Sequence, residues 1–207
     1  MNIKKLSALT VFGAVAAMFS VGSALAAPVY TFTGTPDDMT GQYTFEQKFT
    51  VGAASIVIDK LGVYDYLGNG LAESHLMGLF DNSGNLVLSS TIAAGTGSTL
   101  TYGFRWIDIA KTTFAAGSTF SLVTQANLDA HNMVAGFVLN PKVISVEGGY
   151  VGGAVFNPNV ITTSKDNIIW TGNFNIADTT VPEPASLGII GLGLAALAFR
   201  SKKAKAV

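Results

Sequence analysis

The sequence has no cysteine, only two histidines (His75 and His131), and few charges, with Asp, Glu, Lys and Arg making up 12% of 207 residues against a usual ~25%. Without cysteine there is no disulfide framework, no thiolate metal site and no thiol chemistry. Without a basic surplus (12 Lys+Arg against 13 Asp+Glu, net −1) it lacks the electrostatic footprint of a nucleic-acid binder. Although 49% of the residues are hydrophobic, no uninterrupted apolar run reaches the ~20 residues of a membrane-spanning helix.

What charge there is lies segregated. Lys4 and Lys5 open the chain, and Glu183 faces Arg200, Lys202, Lys203 and Lys205 at the other end. The span from Ala27 to Val181 keeps 6 basic and 12 acidic residues, a net of −6. Two basic, greasy ends flank an acidic body of about 155 residues, enough for one self-sufficient core.

Met1 to Ala26 runs from Lys4-Lys5 through a short apolar stretch to Ala24-Leu25-Ala26, the order of a secretory signal peptide. Cleavage is expected after Ala26 or one residue later, after Ala27, with Ala24 and Ala26 as the small residues of the site. A retained anchor would need a longer apolar stretch. The partners implied are the Sec translocon and a signal peptidase.

The far end reads Val181-Pro182-Glu183-Pro184, then Leu187 to Phe199 without a charge, then the basic cluster from Arg200. The prolines hold the segment extended. The apolar run, including Leu187, Ile190, Leu194 and Phe199, spans only about 20 Å as a helix against a hydrocarbon core of ~30 Å. Arg200 and the lysines behind it would be held on the cytoplasmic side, leaving the body outside. Gly188, Gly191 and Gly193 do not have the spacing of a dinucleotide loop and follow no strand; small residues that let a membrane helix pack closely explain them better.

This tripartite end resembles the PEP-CTERM sorting signal of Gram-negative bacteria. The resemblance implies a partner, a membrane-embedded exosortase cutting near Pro182-Glu183-Pro184, and a route from an inner-membrane intermediate, held by the short C-terminal helix, to the cell surface or extracellular matrix. The alternative is a Pro-hinged tail anchor that no enzyme cuts.

The body reads as strands. Tyr43, Phe45, Phe49 and Val51 alternate with Thr44, Glu46, Lys48 and Thr50, with Gln47 breaking the apolar set, the period of a half-buried strand. Ile56 and Ile58 share one parity and Leu61 and Val63 the other, so a β-bulge or short turn at Asp59-Lys60 is expected to restore a common face. Further strands are expected at Leu76 to Phe80, Leu86 to Ile92, Thr99 to Ile109, Thr119 to Gln125, Met133 to Leu139, Val143 to Val151 and Ile168 to Ile176, separated by Gly/Asn/Asp/Ser turns. With no helical periodicity between Ala27 and Val181, the fold class is all-β, an antiparallel β-sandwich of jelly-roll type, flanked by an N-terminal signal helix and the short C-terminal transmembrane helix. The domains are thus residues 1–26, 27–180 and 181–207. Phe49-Thr50-Val51, Leu61-Gly62-Val63-Tyr64-Asp65, Gly68-Asn69-Gly70-Leu71, Gly78-Leu79-Phe80-Asp81 and Phe114 to Phe120 also resemble the all-β domain of many PEP-CTERM surface proteins, from about Phe32 to Leu122, which implies fold and location.

Candidate sites in the body are sparse. Asp65, Asn69 and Glu73 offer side-chain oxygens around sharp glycine turns, as a Ca²⁺ loop would, but hard Ca²⁺ wants six to eight oxygens and Leu67 stands where an acid belongs; the alternative is an interstrand loop. No Gly-x-Ser-x-Gly elbow occurs, and His75 is expected to be a neutral ring making one backbone hydrogen bond. Asp108, Asp129 and Glu147 could supply a glycosidase pair, yet nothing in their spacing predicts the needed separation. The reading is therefore not an enzyme. Exposed rings could bind polysaccharide, with Trp106 and Trp170 the leading candidates beside Tyr43, Tyr66, Tyr102 and Tyr150; rings in strands usually pack inward, so a cluster of two or three on one exposed face is what would mark such a site. The function expected is an exported surface or matrix protein, structural or adhesive and linked to exopolysaccharide. Without an Asn-x-Ser/Thr sequon any glycan it carries would be O-linked, and the alternative is a carbohydrate-binding module.

Overall fold

The computed structural model describes residues 26–34, 40–126, 129, 131, 136–165 and 169–177. The body is the unit Leu25–Asp178, and the residues of the other unit, Met1–Ala24 with Thr179–Val207, lie outside those described, as do the expected signal helix and C-terminal helix. Among the described residues no helix is long and apolar enough to cross a membrane.

The described residues of the body form twelve strands: β1 Ala27–Pro28, β2 Tyr30–Phe32, β3 Tyr43–Val51, β4 Ile56–Tyr64, β5 His75–Asp81, β6 Leu86–Ile92, β7 Thr99–Thr101, β8 Phe104–Phe114, β9 Thr119–Ala126, β10 Phe137–Leu139, β11 Val143–Gly152 and β12 Gly172–Ile176. They form two five-stranded sheets, in the orders β1-β12-β4-β8-β7 and β11-β3-β9-β5-β6, and a β10-β2 ribbon. Every pairing is antiparallel, and the sheets curl into a half-barrel. The all-β, antiparallel expectation therefore holds.

The inward faces of the two sheets share one core. Phe49 on β3 and Phe120 on β9 meet Phe174 on β12 at ring distances of 5.0 and 5.4 Å, and Phe114 on β8 stacks on Phe120 at 4.0 Å. Phe49, Phe120 and Phe174 are fully buried, each contributing on the order of 1.5–3 kcal/mol through area removed from water. Gln47 sits among them, 1% exposed, beside Tyr30, whose hydroxyl donates to Gly172 O at 2.6 Å. Burial pushes the Tyr30 phenol far above its usual range, partly opposed by its bond to Gln47. The break in the apolar alternation is thus a buried polar contact.

The bulge lies where parity demanded it. Between Ile58 and Lys60 the register of β4 shifts against both β12 and β8, and Ile56, Ile58, Leu61 and Val63 are all 0–1% exposed. One expected strand divides: Thr99 to Ile109 contains a two-residue hairpin turn, with Thr101 opposite Phe104 and φ of +54° at Tyr102 and +80° at Gly103. Positive φ at both central residues belongs to a type I′ turn, whose twist suits a hairpin. The Tyr-Gly dipeptide was its signal, weaker than Asn-Gly because a tyrosine in that conformation is strained. β1 and β2 were not expected either, being too short to show a period. Of the expected Met133 to Leu139 and Ile168 to Ile176, the described residues form strand only at Phe137–Leu139 and Gly172–Ile176.

The segment after β11 crosses the outer face of the second sheet. Thr44 Oγ1 donates to Gly153 O (2.8 Å) and accepts from Val155 N (3.0 Å). Phe156 packs edge-on against Phe80 at 5.3 Å, and Gly148 and Ser164 exchange backbone hydrogen bonds. Glu46, 2% exposed, lies on this outer face. Its Oε1 accepts from Ser121 Oγ at 2.5 Å, while Oε2 is buried with no partner. Burial raises its carboxyl above the ordinary range, with Ser121 and Lys48 opposing and Glu147 adding to the rise.

Candidate functional site

The loop expected to offer calcium ligands is organised around an internal cation. Asp65 ends up 3% exposed and Arg105, on β8, 6% exposed. Arg105 Nε donates to Asp65 Oδ2 at 2.7 Å, Nη2 to Gly68 O at 2.9 Å, and Nη1 to Thr96 O and Ser98 O at 3.1 and 3.0 Å. Gly70 N donates to the Asp65 carboxylate, at 3.2 and 3.1 Å to its two oxygens. Leu71 and Gly95 exchange backbone bonds alongside. A planar fork of five donors thereby fastens the 65–71 loop to the 95–98 loop. Asn69 is exposed and Glu73 half-buried, and neither shares this contact with Asp65. Among the described residues no group of three or more His, Asp or Glu is placed to hold a metal ion. The Asp65 charge is thus matched by the Arg105 guanidinium. Arg105 was not singled out from the sequence, although it is the body's only arginine.

His75, the first residue of β5, is fully buried. Its Nδ1 lies 2.8 Å from Gln125 O and its Nε2 2.7 Å from Asp129 Oδ2. The expected single backbone bond is therefore joined by a carboxylate contact, because the chain after β9 turns back over β5. Both ring nitrogens thus face oxygen atoms of the fold. Asp129 also accepts from Ala72 N (2.7 Å) and Glu73 N (3.0 Å). Burial alone would raise the Asp129 carboxyl, but the bonds from His75, Ala72 and Glu73 outweigh it and hold the group below the usual carboxylate range. The other histidine, His131, packs against Phe45 at 4.8 Å.

The carboxylates considered as a glycosidase pair each have a separate engagement. Asp108 pairs with Lys60, Asp129 with His75, and Glu147 accepts from Thr163 Oγ1 at 3.3 Å.

Trp170 and Trp106 are 2% and 7% exposed, packed inward as rings in strands usually are. Trp170 is clasped between Tyr30 (4.2 Å) and Phe137 (4.1 Å), joining the β2–β10 ribbon to the body. Trp106 donates from Nε1 to Thr101 O at 3.0 Å, packs near Phe104 at 5.8 Å, and lays its ring across Gly62, the residue opposite it on β4. Rings bury large apolar areas, and a twelve-strand body with short edges recruits them. Among the described residues the exposed rings are Tyr102, at 64%, Tyr150, at 45%, and Phe137, at 36%.

Of the processing residues, Ala24, Val181, Pro182, Glu183, Pro184, Leu187, Ile190, Leu194, Phe199 and Arg200 lie outside the described residues. Ala26 is exposed and Ala27 half-buried in β1. Ala27 is the cross-strand partner of Ile176, so the residue after the expected signal cleavage lies beside the strand that leads to the tail.

Beyond the Cys-free antiparallel β body, the tail from Val181 reads as a sorting address. Comparison with known families identifies that address: residues 180–203 match the PEP-CTERM protein-sorting motif, covering the Pro182-Glu183-Pro184 element, the apolar run and the first basic residues. The chain thus carries the sorting signal of an exosortase substrate, a secreted protein directed to the cell surface. No curated protein matches the chain.

Proposed function

We propose that this chain is a non-catalytic surface or matrix protein that passes through an inner-membrane intermediate, loses both ends, and serves a structural or adhesive role in association with exopolysaccharide. The observation that carries the reading is the sorting motif over residues 180–203. The signal-peptide pattern of residues 1–26 supports entry through the Sec translocon and removal by a signal peptidase. Ile176 closes the last strand, so even a fully extended chain puts Pro182 within about 20 Å of the body. Exosortase would therefore work close to the folded sheet. Two sheets sharing one core support reading the body as a β-sandwich of jelly-roll type.

Fractionating cells with and without their exosortase tests this. The protein is expected in the surface or matrix fraction of the first and in the membrane fraction of the second. Mass spectrometry of the exported form is expected to show Ala27 at its start and no Arg200 to Lys205 cluster. An exported chain that retains that cluster contradicts processing.

A second reading, a carbohydrate-binding module, is favoured by one observation, a cleft lined by Trp106, Tyr102 and polar side chains of the first sheet. A glycan array with the mature protein separates it from a purely structural role by saturable, sugar-specific binding.

A further inference from the structure

Across β12, β4 and β8, cross-strand partners line up in two rows. Asn175, Lys60 and Asp108 form one row, and Asn173, Gly62 and Trp106 the other, with Thr99 of β7 beyond Trp106. Leu61, Val63 and Phe174 alternate with these rows along their strands, so the rows lie on the sheet's other face, where Asn173 and Trp106 are buried, Trp106 within the core cluster, while Lys60 and Asp108 reach solvent. Gly62 has no side chain, and the Trp106 ring lies across it. A cleft of about 220 Å³ results, lined by Trp106, Tyr102, Thr99, Lys60, Asp108 and Asn175, with Ala26 on its rim.

We propose that this cleft is a binding site for one neutral pyranose ring of a polysaccharide, with Trp106 as its floor and Tyr102 as its open wall. The inference rests on the carbohydrate-binding reading above and gives that reading a location. Three observations carry it. The cavity is below the ~300–1,000 Å³ of sites for drug-sized ligands and suits a single sugar ring. Lys60 and Asp108 neutralise each other, so the site favours an uncharged ligand rich in hydroxyls. Asn175 has its amide nitrogen fixed on Asp59 Oδ1 at 2.7 Å, which sets the amide plane, while Thr99 adds a hydroxyl. Tyr102 supplies the independent pointer. It holds a φ of +54°, which a glycine or asparagine adopts more readily, and its ring is 64% exposed, so the strained backbone is not offset by burial. A ring with an apolar face and a polar tip, held in solvent beside Trp106, matches the apolar face and hydroxyl rim of a pyranose. Signal cleavage before Ala27 removes Ala26 from the rim and widens the approach.

The mature exported protein is titrated with glucose, galactose, N-acetylglucosamine and their β-linked oligomers, read by calorimetry and tryptophan fluorescence. Saturable binding to at least one is expected, weakened about tenfold or more by Tyr102→Gly and by Asp108→Ala. Tyr102→Gly relieves the positive φ while deleting the ring, so it keeps its fold and raises the melting temperature, and loss of binding in it cannot be blamed on unfolding. Binding that survives both substitutions overturns this location while leaving the carbohydrate-binding reading intact. Absence of binding to every sugar overturns both. Export and sorting are unchanged in either variant.

Discussion

Replacing Arg105 by methionine removes the cation around which the Asp65 loop is built. The methionine fills similar volume but leaves the Asp65 carboxylate, 3% exposed, with only the Gly70 N–H, and strips the carbonyls of Gly68, Thr96 and Ser98 of their donors. Removing one partner of a buried ion pair costs about 3–5 kcal/mol, mostly the penalty of the stranded charge. For a body of this size ~1 kcal/mol corresponds to about 2–4 °C, so a fall of roughly 6–20 °C in melting temperature is expected. That is a large share of a total stability of about 5–15 kcal/mol. The double variant Arg105→Met with Asp65→Leu removes both charges together and is expected to recover a substantial part of the loss, because the stranded carboxylate is gone. Arg105→Lys should be intermediate, since a point charge reaches only some of the four acceptors. Thermal and urea unfolding of the mature protein would measure all three. If Arg105→Met costs less than about 1 kcal/mol, or the double variant is no better than the single one, the fork is not what holds the two loops. In the same assay, millimolar Ca²⁺ is expected to leave the wild-type transition where it is; a rise in melting temperature would show that the loop takes calcium beside its arginine.

Glu46→Gln should stabilise the body or leave it unchanged near pH 7. Because the folded state raises the Glu46 carboxyl, its contribution is fully present below the ordinary glutamate range and is lost as pH rises through the raised value. The variant should flatten that part of a stability profile measured from pH 4 to 8. Asp129 behaves oppositely. Its lowered carboxyl contributes stability above the ordinary aspartate range that disappears as pH falls through the folded value, so Asp129→Asn should abolish this acid-side loss, and an unchanged acid limb would refute the assignment. Gly172→Ala should cost about 1–3 kcal/mol by overpacking, because the added methyl would enter the space of Thr124 Oγ1, Leu122 and Met77; a neutral result in urea unfolding would mean the two sheets are looser here than their contacts imply.

The sequence alone determined the features that depend on neighbours along the chain. A sorting signal is contiguous, so Val181 to Lys205 could be recognised without any fold, and the motif match over residues 180–203 agrees. Strand faces are also local, since side chains alternate with period two, which is why Ile56, Ile58, Leu61 and Val63 could demand a bulge near Asp59 before it was seen. Short strands carry too little pattern, and a tyrosine at positive φ disguises a turn, so β1, β2 and the β7–β8 hairpin could not be read in the same way. Only the tertiary structure decided which side chains meet across long separations. Asp65 finds Arg105 forty residues on, His75 finds Asp129, and Trp170 packs between Tyr30 and Phe137. The same pairing of distant strands set Trp106 over Gly62 and ran Asn175, Lys60 and Asp108 across one face. Register, which no local period encodes, is what made a cleft of them.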